Sequence, residues 1–230
     1  MNLLIAAAVA AAAPPSATTC PDLATPDALV CHALEAKQNG DAEAAARGFE
    51  QAALASPATD PKTTRMWAAA GNMWIAAEQP GKAAFDLDKA LAGPGLEAEQ
   101  RGEALLDRAR AAEAQNDLKT ARAKLNEAAA TVSDDPFYWY FSAALAIREG
   151  DKTTAQAAIG KALSLAPSDP AVLFEAGHVA DFLGNDDQAR SYWMRAAGSD
   201  PNGPIGKAAA KAVEMLGVSP TVKLDQQPPK

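Results

Sequence analysis

Between residues 26 and 203 apolar positions return at the three-to-four residue spacing of amphipathic helices, broken by short polar corners. A longer beat lies over this one. Five times a Gly, Glu or Asn is followed five residues later by Ala, nine later by a bulky apolar residue and twelve later by Ala. The starts are Gly40, Glu78, Asn116, Gly150 and Gly184. The first Ala column is Ala45, Ala83, Ala121, Ala155 and Ala189, the bulky column Phe49, Leu87, Leu125, Ile159 and Trp193, and the last Ala52, Ala90, Ala128, Ala162 and Ala196. Spacings of 38, 38, 34 and 34 residues between starts predict a stacked array of helical hairpins, in which no unit buries its apolar face alone.

The corners support this reading. In Gly40-Asp41, Asn116-Asp117, Gly150-Asp151 and Gly184-Asn185, Gly or Asn accepts the left-handed backbone that stops a helix, and Asp or Asn caps the next. Pro57, Pro167 and Pro201 fall where the second helix of a unit ends, and Pro136 and Pro170 open the following unit. The longer first two spacings, each by about one helical turn, call for either an inter-repeat loop or a longer helix, and loops are expected around Pro57 to Pro61 and Gly93 to Gly95. One more amphipathic helix, 205–216, is expected to cap the array, and the polar, Pro-rich stretch 218–230 to be disordered.

Strand-like alternation is missing throughout, so the expected class is all-α. With 48% hydrophobic and 22% charged residues in 230, the chain is long and apolar enough for a core. A net charge of -8 opposes the counterion release on which nucleic-acid affinity rests, and excludes DNA and RNA as expected partners.

Residues 1–17 read as a secretory signal: an apolar run from Leu3 to Ala13, too short to span a bilayer, precedes a small polar stretch. Thr18 and Thr19 before Cys20 break the lipid-attachment pattern. A periplasmic or secreted protein follows, with 18–25 an extended segment leading into an array over 26–217. Cys20 and Cys31, a lone pair in such a chain, are expected to form a disulfide. His32 and His178 are the only histidines, which leaves no ligand set for a metal and no cofactor site. No nucleophile, acid-base pair or phosphate loop points to an enzyme; Asp134-Asp135 and Asp186-Asp187 read as helix caps.

The columns resemble the tetratricopeptide repeat (TPR). With units starting at Pro26, Thr64, Gly102, Pro136 and Pro170, the second carries Trp67, Gly71, Trp74, Ala83, Leu87 and Ala90. The fourth carries Trp139, Ala143, Ala155, Ile159, Ala162 and Pro167, and the fifth Leu173, Gly177, Ala189, Trp193, Ala196 and Pro201. Unit one departs at Leu29 and His32, and unit three has Arg108 where an apolar residue is usual. The resemblance implies a right-handed superhelical solenoid of about five helix-turn-helix units plus a C-terminal capping helix. It also implies a non-catalytic scaffold whose first helices line a concave groove that holds a peptide or a partner helix.

Carried over position by position, the groove candidates are Arg65 and Asn72 in unit two, Arg110 in unit three, Phe137, Tyr140, Phe141 and Arg148 in unit four, and Phe174, His178 and Phe182 in unit five. Glu103, Asp107, Glu113, Ala144, Glu175 and Asp181 fall on the same faces. Trp139 belongs to the core column, leaving Phe137, Tyr140 and Phe141 of the aromatic run 137–141 to contact a partner. The family's carboxylate clamp does not match, since its positions hold Ala68, Asn72, Asp107, Phe137 and Phe141. The expected role is organising a cell-envelope complex; a self-associating structural protein and a cytosolic adaptor with an uncleaved apolar N-terminus are the alternatives.

Overall fold

The computed structural model describes residues 20–216, and the expected signal at 1–17 and tail at 218–230 lie outside them. The elements are α1 (Pro26–Gln38), α2 (Ala42–Leu54), α3 (Pro61–Ala76), α4 (Pro80–Ala92), α5 (Ala98–Ala114) and α6 (Leu118–Val132). They continue with α7 (Pro136–Glu149), α8 (Lys152–Leu165), α9 (Pro170–Leu183), α10 (Asp186–Ser199) and α11 (Pro204–Leu216). Consecutive helices pair as hairpins, the hairpins stack in chain order into a right-handed solenoid, and α11 closes its C-terminal end against α10 and α9.

One corner serves every hairpin. Gly40, Glu78, Asn116, Gly150 and Gly184 all have positive φ, between 57° and 85°. The next residue's N–H then reaches five residues back, from Asp41 to Ala36, Gln79 to Trp74, Asp117 to Ala112, Asp151 to Ala146 and Asn185 to Ala180, at 2.8–2.9 Å. This bond consumes a carbonyl the ending helix leaves free. Asp41, Asp117 and Asp151 also cap the helix they open, accepting from Ala44, Thr120 and Thr154 N–H at 2.9–3.0 Å. Asn185 makes no side-chain cap, contrary to expectation, and Asp186 and Asp187 sit in the first turn of α10, where the helix dipole favours them. Between hairpins Asp60, Asp135 and Asp169 cap helices that begin with Pro61, Pro136 and Pro170, prolines placed where no N–H is wanted.

The column residues are the core. All ten alanines are inaccessible, and Phe49, Leu87, Leu125, Ile159 and Trp193 are buried. Small residues at the crossing let paired helices approach closely, while the bulky column fills the space between them. Gly71 is needed for the same reason: a Cβ there would sit 2.5 Å from Leu87 Cγ.

Two expectations are refined. The extra residues of the early units go partly into the loops 55–60 and 93–97 and partly into α3 and α5, which are 16 and 17 residues long against 14 for α7 and α9. These helices start at Pro61 and Ala98, about a turn before Thr64 and Gly102. Arg108 causes no packing defect, because it leaves the core to grip Asp88 of α4 with two bonds, at 2.8 and 3.2 Å.

At the N-terminal end Cys20 and Cys31 are disulfide-bonded, with Cα atoms 5.6 Å apart, pinning the incoming segment to α1. His32 Nε2 lies 3.0 Å from the Pro21 carbonyl. Cys20, His32 and Glu35 bring donor atoms within 4.8 Å of each other, but the Cys20 sulfur is already committed to Cys31.

Candidate functional site

A cleft of about 490 Å³ opens on the face made by the first helices of the hairpins. Its walls are Arg65, Ala68, Ala69 and Asn72 of α3, Gln100, Glu103, Ala104, Leu106 and Asp107 of α5, and Phe137 at the start of α7, with Leu96 and Asp135 from the connections. No residue of α2, α4, α6 or α8 takes part. A second depression of about 350 Å³, lined by Asp27, Val30, Phe49, Lys62, Arg65, Met66 and Ala69, shares Arg65 and Ala69 with it. The two extend one another toward α1.

Helix phase explains the lining. On α3 the residues Arg65, Ala68, Ala69 and Asn72 recur at the i, i+3, i+4, i+7 spacing of one stripe, opposite the side that carries Trp74 into the core. Asn72 donates to Asp107 at 2.7 Å, and Arg110 donates to the other Asp107 oxygen at 2.9 Å while its guanidinium lies 5.4 Å from the Phe137 ring centre. This chain of contacts ties α3, α5 and α7 together. Arg148 of α7 reaches back to α5, pairing with the Glu113 carboxylate and donating to Asn116 Oδ1 at 2.7 Å.

Of the sequence candidates, Arg65, Asn72 and Phe137 meet in the cleft, and Arg110 joins them through Asp107. Arg148 stays exposed and is occupied by its ion pair. Phe174, His178 and Phe182 lie on α9, beyond the cleft, and are half-buried. His178 is packed edge-on between Phe174 and Trp193, ring centres 4.5 and 5.3 Å away, and burial lowers its pKa against the opposing pull of Asp181.

The aromatic run divides differently from the expectation. Phe141 is buried in the core shared by α5, α6 and α7, with only 8% of its surface exposed, so it is not presented to a partner. Tyr138 is buried with it. Trp139 is only half-buried, its indole N–H donating to the Ser133 carbonyl at 2.6 Å. Phe137 and Tyr140 stay partly open and meet edge-on at 4.9 Å; burial pushes the Tyr140 phenol up to about 12. Ala69, Leu96, Gln100, Ala104, Leu106 and Asp135 line the cleft without being among the sequence candidates, and for Leu96 and Gln100 a local signal exists. The signal for them is the Glu97-to-Gln100 capping box, in which Glu97 N–H donates to Gln100 Oε1 at 3.3 Å and which starts α5 early.

Charged groups elsewhere hold the stack. Arg122 of α6 donates to Glu149 and to Ser142 on α7, at 2.6 and 3.0 Å. Beneath the second hairpin Trp74 donates to Glu50 at 2.8 Å, and both oxygens of fully buried Asp86 are left without a donor. Among the described residues no helix is long and apolar enough to cross a membrane.

Comparisons with known proteins agree with this architecture. The tetratricopeptide repeat family profile matches residues 138–169, and no curated protein sequence matches the chain. Solved structures share the fold at low identity. PilW, described as a widely conserved type IV pilus biogenesis factor, is 19% identical, with a TM-score of 0.64 over 80% of this chain and 81% of its own. YrrB, described as a TPR protein with an unusual peptide-binding site, is 17% identical, with a TM-score of 0.56 over 80% and 91%. A tetratricopeptide repeat protein from Parabacteroides merdae is 14% identical, with a TM-score of 0.64 over 84% and 73%. The chain carries a tetratricopeptide repeat at residues 138–169 within a solenoid of the fold that these proteins share.

Proposed function

We propose that this protein is a non-catalytic interaction scaffold that holds a peptide or a partner's helix along the face formed by α1, α3, α5, α7 and α9. The observation that carries the reading is the cleft lined by Arg65, Asn72 and Phe137, to which the first helices of three successive hairpins contribute and the second helices nothing. Such a surface offers apolar floor, aromatic edge and fixed polar groups in one line, as recognition of an extended or helical segment requires. The Asn72–Asp107–Arg110 contacts fix the polar groups before a ligand arrives, which lowers the ordering cost of binding.

The place of action we assign is the cell envelope, after export, where the protein organises a complex. The apolar run from Leu3 to Ala13 supports this, as does the Cys20–Cys31 disulfide, a bond that persists in oxidising compartments. The likeness to PilW is compatible with it at the level of fold.

The test is affinity capture from envelope extracts with the parent and with an Arg65→Ala, Phe137→Ala double variant, both checked for an unchanged circular dichroism melt. A partner held by the parent and released at least tenfold more readily by the variant is the expected result. A partner indifferent to both substitutions overturns the reading.

A further inference from the structure

Far from the cleft, the first helix gathers four donor side chains of the kinds that bind a thiophilic metal. Cys31, His32 and Glu35 lie at i, i+1 and i+4 of α1 and so share one side of the helix, and the disulfide brings Cys20 to them from the incoming segment. One donor atom each from Cys20, His32 and Glu35 falls within 4.8 Å of the others, and the Cys31 sulfur is bonded to that of Cys20. His32 and Glu35 are exposed and the two cysteines half-buried, so the cluster is open to solvent.

His32 is already oriented as a ligand. Its Nε2 lies 3.0 Å from the Pro21 carbonyl, and since a carbonyl oxygen only accepts, Nε2 carries the proton. In the neutral ring Nδ1 therefore turns its lone pair toward a Glu35 carboxylate oxygen 3.7 Å away, two acceptors facing each other where a cation is wanted. A backbone carbonyl holding the far nitrogen is the usual support of a metal-bound imidazole. Bond lengths of about 2.0–2.3 Å give a tetrahedral zinc site edges of about 3.3–3.8 Å, and the His32–Glu35 separation already matches such an edge. The remaining donors have only to close in from the 4.8 Å limit, which exposed side chains on one turn of helix can do by changing rotamer.

What withholds the site is the disulfide, because sulfurs bonded to each other supply no thiolate. We infer that reduction of Cys20–Cys31 turns this cluster into a zinc site with Cys20, Cys31, His32 and Glu35 as its ligands. A trialkylphosphine and water carry out the reduction: the phosphine gives two electrons and leaves as its oxide, and water supplies that oxygen and the two thiol protons. Zn2+ then displaces both protons to solvent as the two Zn–S bonds form. Two thiolates, an imidazole and a carboxylate select zinc over magnesium or calcium, which prefer oxygen donors. The segment before α1 is thus pinned by a disulfide when oxidised and by a metal when reduced.

The test is a titration of the full chain with cobalt(II) chloride and then zinc chloride, in the oxidised form and after reduction by a trialkylphosphine under nitrogen. The reduced chain is expected to bind one equivalent of cobalt with thiolate-to-metal charge-transfer absorption, to release it to zinc, and to regain amide protection over residues 20–38 once zinc is bound. The oxidised chain should show none of this. His32→Ala and Glu35→Ala, which leave both thiols in place, should each weaken zinc binding at least tenfold. Absence of the charge-transfer band in the reduced parent, the same metal uptake by the oxidised chain, affinity unchanged in either variant, or residues 20–38 left unprotected by zinc overturns the site.

Discussion

The indole of Trp193 lies directly on Gly177, so that a Cβ at position 177 would occupy the space of the ring, and its N–H donates to the Phe174 carbonyl at 3.0 Å. Backbone of α9 and ring of α10 are thereby in contact with no side chain between them. Gly177→Ala must push the rigid indole aside or part the helices, and is expected to destabilise the chain by about 1–3 kcal/mol. Urea unfolding of the two proteins measures the difference. A midpoint unchanged by the substitution would show that the ring relaxes freely.

Glu78 makes the opposite case. It occupies the corner position that Gly40, Gly150 and Gly184 hold elsewhere, with φ of 57°, and its side chain is exposed. A left-handed residue with a Cβ costs about 1–2 kcal/mol, partly offset by the entropy that glycine loses on folding. Glu78→Gly should therefore stabilise by about 0.5–1 kcal/mol, whereas Gly150→Ala, in the same geometry at φ of 75°, should cost about 1 kcal/mol. Thermal melts of both variants check the pair, and a destabilised Glu78→Gly would contradict the account.

Corners and columns were readable from the sequence because they answer to local rules. A Gly or Asn with positive φ and an Asp one residue later are chemical requirements of a tight helix corner, and Ala at a helix crossing is a requirement of close approach. Placement around the helix circumference was less readable. Five successive aromatics point in all directions, and only the packing of α5 and α6 against α7 decides that Tyr138 and Phe141 go inward while Phe137 and Tyr140 stay near the surface. The cleft depended on the same kind of information, since α5 starts a turn before its columns suggest and brings Gln100 into the wall. Pairings such as Asn72 with Asp107, across 35 residues, carry no short-range signal.

The disulfide sets the fate of the N-terminal segment. Among the described contacts, residues 20–25 are tied to α1 by the Cys20–Cys31 bond, the His32 contact to Pro21 and the Thr25 cap at 3.4 Å. Closing a loop with a sequence separation of 11 stabilises by about 2–3 kcal/mol in the chain-entropy picture. Cys20→Ser with Cys31→Ser should lower stability by up to that amount and free the amides before Pro26 to exchange, leaving α3 to α11 protected. Hydrogen exchange with mass spectrometry reads both, and protection lost evenly along the stack would contradict a local role.

Asp86 gives the chain a pH dependence with a definite sign. Both its oxygens are buried without a donor, and Glu50, itself receiving the Trp74 N–H, approaches as a second acceptor. The arrangement closes only when one of the two carboxyls holds a proton. Burial, reinforced by the hydrogen bond and charge of Glu50 and opposed by Lys89, raises Asp86 from 3.8 to about 7. The folded chain thus keeps a proton that the unfolded chain releases, so stability declines as pH rises from about 3.8 to about 7 and stays lower above that. Glu175, raised from 4.5 to about 7 by burial, adds a decline of the same sign. Asp86→Asn supplies an uncharged group that can donate to Glu50 at every pH. It should stabilise the protein by on the order of 2 kcal/mol at pH 8, leave it nearly unchanged near pH 4, and flatten the slope between. The slope that remains should combine a decline due to Glu175, which Glu175→Gln in the same background should remove, with an opposing rise due to His178, whose pKa burial lowers. Melting temperatures of the three proteins across pH 4 to 8 test the assignment, and an Asp86→Asn profile parallel to the parent's would assign the decline to other groups.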